Sequence, residues 1–150
     1  MFTLSCGLQL REFQAPPSLD IDKILSMYNN TEVVPFITER LMVPRGQKLK
    51  ESFKESIDTE AEMFCIIETR STEGEPSKFV GMTAFWANGD RGQRHSKYSI
   101  VLMPEFWNQG SGSQITEFMV QHAFLHLNMH RISLEVYEGN DRAVAVYKKK

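Results

Sequence analysis

The chain has 150 residues, of which 41% are apolar and 24% are charged, and its formal net charge is −2. This balance is typical of one folded domain with its own core, so a disordered chain and a strongly basic nucleic-acid-binding domain are both excluded. We expect a single domain over residues 1–150, with no nucleic-acid partner.

Neither the cysteines nor the apolar runs indicate a secreted or membrane protein. Cys6 and Cys65 lack the spacing of a metal site, and we expect two reduced thiols. No apolar run approaches the ~18–20 residues of a membrane span. Residues 1–7 lack the pattern of a signal peptide. The chain is therefore expected to be a soluble cytoplasmic protein without a membrane partner.

The first half of the sequence predicts a strand and two helices. Residues 7–13 alternate between apolar and polar side chains, as a half-buried strand does. A helical stripe follows, for which Ser18 or Asp20 is the expected N-cap. A second helix is predicted over 46–57. The stripe of the first helix comprises Ile21, Ile24, Leu25 and Tyr28.

The second half predicts a meander of three strands and then a helical crossover. The three strands are 62–69, 78–86 and 97–103. They are followed by a helix over 111–127, a strand over 131–137 and a helix over 141–150. Successive strands with short turns favour antiparallel pairing, and a strand–helix–strand crossover favours one parallel pair. The predicted fold class is α+β, with a mixed, mostly antiparallel sheet.

Residues 104–113 (PEFWNQGSGS) lie between the third strand of the meander and the long helix. A Gly-x-Gly turn that opens a helix forms an anion cradle, because the backbone can approach a ligand and the first N–H groups point outward. A dinucleotide-binding fingerprint requires a third glycine where this chain has Ile115, and a P-loop requires Gly-Lys-Ser/Thr. Both nucleotide motifs are excluded.

The surroundings of this turn resemble the acetyl-coenzyme A motif of the GCN5-related N-acetyltransferase (GNAT) family. Residues 100–112 match its strand, Pro-acidic-aromatic turn and Gly-x-Gly helix start, and residues 129–149 match its strand–Asn–helix–Tyr segment. Residues 8–13 resemble the opening strand of the branch that modifies ribosomal-protein N-termini and various small amines. The resemblance implies a three-layer fold with helices on both faces of the sheet. It also implies acetyl transfer from acetyl-CoA to a primary amine.

The resemblance also implies a cofactor site. The backbone N–H groups expected at the pyrophosphate are those of Asn108, Gln109, Gly110, Ser111, Gly112 and Ser113. The strand residues expected to pair with the pantetheine arm are Ile100, Val101 and Leu102. One position departs from the family pattern: Trp107 stands where Arg or Gln is usual, and an indole adds no charge to the pyrophosphate contact.

Three later residues match family positions with chemical roles. Tyr147 corresponds to the tyrosine that protonates the departing thiolate, although a helix tyrosine packed on the sheet would look the same. Glu135 corresponds to a general base, for which a solvated carboxylate and a water relay are the alternatives. Asn140 corresponds to a contact with the cofactor arm, and it also suits a helix N-cap.

Three histidines, His122, His126 and His130, lie four residues apart. On one helix face, three imidazoles at this spacing could bind zinc. However, the helix is expected to end near Asn128, and no carboxylate or cysteine supplies a further zinc ligand. Ordinary packing is the prediction, with no metal.

Family members continue past the tyrosine helix with a Gly-Phe turn and two more strands, whereas this sequence ends at Lys150. Without those strands, strand 131–137 would have an open edge, through which a homodimer could form. Two functions follow: an active acetyltransferase, or a truncated, non-catalytic acetyl-CoA-binding or protein-interaction domain.

Overall fold

The computed structural model describes residues 1–37, 43–87 and 94–134. Within these ranges, six strands form one sheet in chain order. The strands are β1 (Phe2–Thr3), β2 (Leu8–Glu12), β3 (Ala61–Thr69), β4 (Phe79–Ala87), β5 (His95–Leu102) and β6 (Arg131–Ser133). The helices are α1 (Asp20–Tyr28), α2 (Gln47–Thr59) and α3 (Ser111–His126), with short 3₁₀ turns at Val34–Phe36 and Pro104–Phe106.

The strands pair as the order of elements predicts. Neighbours from β1 to β5 are antiparallel, and β5 pairs with β6 in parallel after the crossover through α3. The mixed, mostly antiparallel α+β sheet with one parallel pair is confirmed. The terminal helix predicted over 141–150 lies outside the described residues.

The two faces of the sheet carry different helices. On β3, Cys65 and Ile67 belong to the core beneath α3, whereas Ile66 belongs to the core beneath α1. This alternation places α3 on one face and α1 with α2 on the other, which confirms the three-layer arrangement. The α3 side chains buried against the sheet are Ile115, Met119 and Ala123. Those of α1 are Ile21, Ile24 and Met27.

Two local features differ from the sequence-based expectation. Strand β1 was not predicted, because it consists of only two exposed residues, Phe2 and Thr3, and cannot show an alternation of apolar and polar side chains. Asp20 does not cap α1: no side chain bonds at the cap residue Leu19, and the Ser18 hydroxyl accepts the Asp20 N–H at 3.2 Å. The carboxylate of Asp20 is instead part of an ion network.

That network joins β2, α1 and β3. Arg11 donates two hydrogen bonds of 2.7 Å to the carboxylate of Asp20, whose side chain is 1% exposed, and its Nε lies 3.1 Å from Glu68 Oε2. The N–H of Gln14 donates to Asp20 at 2.9 Å. Burial alone would raise the pKa of Asp20, but the bonds from Arg11 and Gln14 outweigh it and hold that pKa below its usual value. The network therefore stabilises the fold in its ionised form.

Cys6 and Cys65 are both free thiols, as predicted. Burial raises the pKa of Cys65 to about 11, so this thiol stays protonated at neutral pH. None of the helices in the described ranges combines the length and apolar character needed to cross a membrane.

Replacing Arg11 with Met should destabilise the fold by about 3–5 kcal/mol at pH 7, because it leaves the buried Asp20 carboxylate without its partner. Since the folded-state pKa of Asp20 is lowered, the stabilisation is present above the unfolded value of 3.8 and is lost as the pH falls through the folded value. Urea unfolding at pH 7 and pH 3.5 would therefore show a difference between variant and parent that shrinks on acidification.

The matched control is Lys54→Met, which removes an exposed pair with Asp58 within α2. It should cost at most about 0.5 kcal/mol. Equal losses for the two variants would contradict the role assigned to the Arg11 network.

Candidate cofactor site at the end of strand β5

The turn between β5 and α3 depends on one glycine for its backbone conformation. Asn108 has φ 60° and Gly110 has φ 80°, so both occupy the left-handed region. A Cβ on Gly110 would meet no atom of the described residues within 4 Å, so conformation rather than space requires glycine there. Asn108, Gln109 and Gly110 are exposed.

The N-terminus of α3 carries free donors. No side chain caps it, and the first backbone bond of the helix runs from the Gln114 N–H to the Gly110 carbonyl at 3.2 Å. The N–H groups of Ser111, Gly112 and Ser113 therefore project from the helix end, where the dipole adds partial positive charge. This end suits an anion such as a pyrophosphate.

The described residues leave open space beside Gly112. A Cβ on this residue would have only ordinary contact, 3.7 Å from Leu102 Cδ1. Packing therefore does not require glycine at this position, and the open space lies beside the free donors. The same distance shows that the turn and the end of β5 lie side by side.

Next to this turn, the end of strand β5 has an open edge in the described part of the sheet. The Met103 N–H donates to the Val80 carbonyl at 2.8 Å, so the backbone groups of Met103 face β4. Because successive residues turn their backbone groups to opposite sides, those of Ile100 and Leu102 face away from β4. On that side, the pairing with β6 in the described part of the sheet covers His95–Lys97 only. A ligand amide can therefore pair with the end of β5.

Gly81 fixes where this edge lies. A Cβ on Gly81 would overlap the Val101 carbonyl oxygen and lie 3.0 Å from the Leu102 Cα. A register shift between Ile67 and Glu68 marks a bulge in β4 at the same point. The backbones of β4 and β5 thus approach more closely than any side chain would allow.

A buried polar triad holds α3 against β5. Tyr98 Oη lies 3.1 Å from Thr116 Oγ1 on α3 and 3.3 Å from Thr83 Oγ1 on β4. Thr83 Oγ1 also donates to the Ser99 carbonyl at 3.0 Å. These groups sit in the core, where satisfied hydrogen bonds fix relative positions. Sequence reasoning missed the triad, since its members are distant along the chain.

The opposite face of the sheet has an aromatic surface that leads to a groove. Trp86 packs edge-on against Phe53 of α2, and its Nε1 donates to Ser99 Oγ at 2.9 Å. Phe53 also lines a groove of about 210 Å³ between α1 and α2. The other lining residues are Tyr28, Ile37, Arg45, Leu49, Ser52 and Ser56. The side chains of Phe53 and Trp86 thus lie between the groove and β5, the strand that carries the open edge.

The predicted site residues are partly brought together. Ile100, Val101 and Leu102 end the strand directly beside the 108–113 turn. Glu135, Asn140 and Tyr147 lie outside the described residues.

The histidines pack rather than form a row of three. His122 and His126 have ring centroids 5.0 Å apart on α3, whereas His130 lies beyond the helix and its Nδ1 is 2.8 Å from Arg94. Burial, and then the neighbouring His126, lower the pKa of His122. The described ranges contain no group of three His, Cys, Asp or Glu side chains that could hold a metal ion.

Comparison with protein families identifies the chain. The model of the acetyltransferase (GNAT) domain matches residues 8–150. The chain belongs to the GNAT acetyltransferase family. Acetyl-CoA is the cosubstrate of this family, and the chain is an acetyl-CoA-dependent N-acetyltransferase. The free α3 donors, the space at Gly112 and the open β5 edge all fit that cosubstrate.

Solved structures share this GNAT fold. Spermidine N-acetyltransferase from Vibrio cholerae, in complex with CoA and spermine, has 21% identity and a TM-score of 0.77, covering 97% of this chain and 80% of that one. A domain from Methanocaldococcus jannaschii has 12% identity and a TM-score of 0.76, covering 95% and 85%. A dodecameric structure of the Vibrio cholerae enzyme has 20% identity and a TM-score of 0.69, covering 97% and 78%. No match was found among curated proteins.

The two glycines of the turn should separate folding from cofactor binding in this GNAT domain. Gly110→Ala should lower stability by about 1–2 kcal/mol, because alanine is strained in the left-handed region. Gly112→Ala should leave stability unchanged or raise it by up to ~1 kcal/mol, because alanine favours helix. Gly112→Ala should nevertheless weaken acetyl-CoA binding, since its methyl group enters the ligand space.

Thermal melts with and without acetyl-CoA measure both effects on the same samples. If Gly112→Ala retained the full ligand-induced rise in Tm, the α3 N-terminus would not be the pyrophosphate site.

Proposed function

We propose that this GNAT domain transfers acetyl from acetyl-CoA to a primary amine (a protein N-terminus, a lysine side chain or a small amine) by direct attack in a ternary complex. One observation carries the proposal: the uncapped N-terminus of α3 lies beside the open edge of β5. Donors for a pyrophosphate and backbone groups for an amide-bearing arm are thereby adjacent. Coenzyme A contains both chemical groups in one molecule.

The proposed binding mode uses backbone groups almost entirely. The N–H groups from Asn108 to Ser113 would hold the pyrophosphate, and the edge groups of Ile100 and the N–H of Leu102 would pair with the acyl-pantetheine arm. Val101, whose backbone faces β4, would keep that edge in place. The thioester would then lie near the end of β5, with the Leu102 N–H available to its carbonyl oxygen.

The chemical step follows from the residues that match the family motif. The amine nitrogen attacks the thioester carbonyl carbon, a C–N bond forms, and the C–S bond then breaks. We assign Tyr147 to donate a proton to the leaving thiolate and Glu135, directly or through water, to accept the proton from the amine. Asn140 is assigned to the cofactor arm.

The acceptor is proposed to enter from the face that carries α1 and α2. The groove on this face is lined by Phe53, which packs against Trp86, and Trp86 in turn donates to Ser99 of β5. We propose two acceptor types as the first to test. Polyamines are one, because spermine is bound in the Vibrio cholerae structure. Free N-termini are the other, because residues 8–13 resemble the branch that modifies ribosomal-protein N-termini. The homodimer expected at the open edge of strand 131–137 stays a prediction, which sedimentation velocity would test.

A thiol-release assay tests the proposal directly. The purified chain is incubated with acetyl-CoA and, separately, with spermine, a peptide that has a free N-terminus, and an N-blocked lysine peptide. We expect turnover with at least one amine. Acetyl-CoA binding without turnover on any acceptor would instead favour the non-catalytic binding domain.

Replacing Tyr147 with Phe should lower kcat about 100-fold, because the thiolate then leaves without a positioned acid. The dissociation constant for acetyl-CoA should stay within about twofold of the parent, since a phenyl ring keeps the shape. Steady-state kinetics and calorimetric titration measure the two quantities. Unchanged kcat would remove Tyr147 from the mechanism, and a large loss of affinity would make it a binding residue.

A further inference from the structure

We propose that Trp107 is a positioning residue that fixes the end of β5 relative to the α3 N-terminus, so that one ligand can reach both. This inference rests on the proposed function, because it concerns how the same cofactor site is built. The indole of Trp107 carries no charge, so it can affect an anion site only through its contacts.

The indole of Trp107 reaches back to the strand. Its Nε1 donates to the Leu102 carbonyl at 2.8 Å. The backbone groups of Met103 face β4, and those of the preceding residue, Leu102, face the other way. The Leu102 carbonyl therefore belongs to the open edge. Trp107 therefore satisfies one acceptor of the edge and leaves the Leu102 N–H and the Ile100 groups for a ligand.

The bond from Trp107 to Leu102 closes a loop over residues 102–107, and backbone hydrogen bonds stabilise this loop. Within it, the Phe106 N–H donates to the Met103 carbonyl at 3.0 Å and the Trp107 N–H donates to the Pro104 carbonyl at 3.1 Å. Beyond it, Gln109 Nε2 donates to the Glu105 carbonyl at 2.9 Å. Three bonds thus shape the turn itself. In the described part of the chain, the indole bond fastens this turn to β5 through a side chain.

The ring of Trp107 is held on its other side. It packs edge-on against Phe36, with centroids 6.1 Å apart, and belongs to the core beneath α1. Its orientation is therefore set by packing on the opposite layer. A ring fixed in this way holds the strand end and the cradle at one separation.

A fixed separation matters only to a ligand that spans both parts. Coenzyme A combines a nucleotide pyrophosphate with a pantetheine arm. Once the pyrophosphate is bound at the α3 N-terminus, the arm gains its hydrogen bonds to β5 only if the strand edge lies at the matching distance. Ligands that use one part alone gain nothing from this alignment. Loss of the indole bond should therefore weaken coenzyme A binding selectively.

The test compares Trp107→Phe with the parent, by using the two halves of coenzyme A as probes. Phenylalanine keeps a ring against Phe36 but removes the N–H donor. We expect the dissociation constant for coenzyme A to rise roughly fivefold, the effect of losing one hydrogen bond. The constants for 3′-phosphoadenosine 5′-diphosphate and for pantetheine, measured by competition, should change less than about twofold.

Lys54→Met is the control, because it removes an exposed ion pair with Asp58 that is confined to α2. Its coenzyme A affinity should match the parent. Equal affinity of Trp107→Phe and parent for coenzyme A would overturn the inference while leaving the proposed function intact. Equal weakening for coenzyme A and both halves would also overturn it, since that pattern indicates general damage to the site. A parent that binds no coenzyme A would overturn the proposed function itself.

Discussion

The close approach of two backbones at Gly81 is the constraint on which the cofactor site depends. Because no side chain separates β4 from β5 there, Val101 is held from one side and the strand end keeps a fixed course. The groups of Ile100 and Leu102 then face the other side, where the described pairing with β6 has already ended at Lys97. A sheet edge that is rigid but unpaired can accept an extended ligand as an added strand.

The second requirement is that the helix end stays beside that edge. The triad of Thr83, Tyr98 and Thr116 ties α3 to the two central strands within the core. Its hydroxyls are buried, so each unmade bond would carry a desolvation cost. The site thus combines a backbone cradle, which provides donors without side-chain charge, with a core that fixes the position of the cradle. The bond from Trp107 to the Leu102 carbonyl connects the turn before α3 with the end of β5.

Much of this arrangement was predictable because it depends on local patterns. The apolar run in 62–69 and the return strand expected over 78–86 identified β3 and β4, and the glycines at 110 and 112 identified the turn that opens α3. The order of these elements predicted one parallel pair. The roles of Gly81 and Tyr98 were not predictable, because each depends on a partner that is distant along the chain. A glycine within an apolar run looks the same whether or not a carbonyl approaches it.

The role of Asp20 also depends on a tertiary contact that the local sequence does not show. Its position before an apolar stripe suits an N-cap, and local propensity favours that role. The fold instead brings Arg11 of β2 to this carboxylate, with Glu68 of β3 paired to the same guanidinium. A two-bond pair with a guanidinium is stronger than one cap bond. Tertiary contacts decided the role of this carboxylate.

The measurement that tests the central claim most directly is amide-resolved NMR of the chain during titration with coenzyme A. If the cradle and the β5 edge form one site, the amide signals of Ser111, Gly112, Ser113, Ile100 and Leu102 should shift together along one binding curve. Their hydrogen exchange should also slow on saturation. Saturable binding that leaves these amides unchanged while others respond would place the cofactor elsewhere and contradict the account.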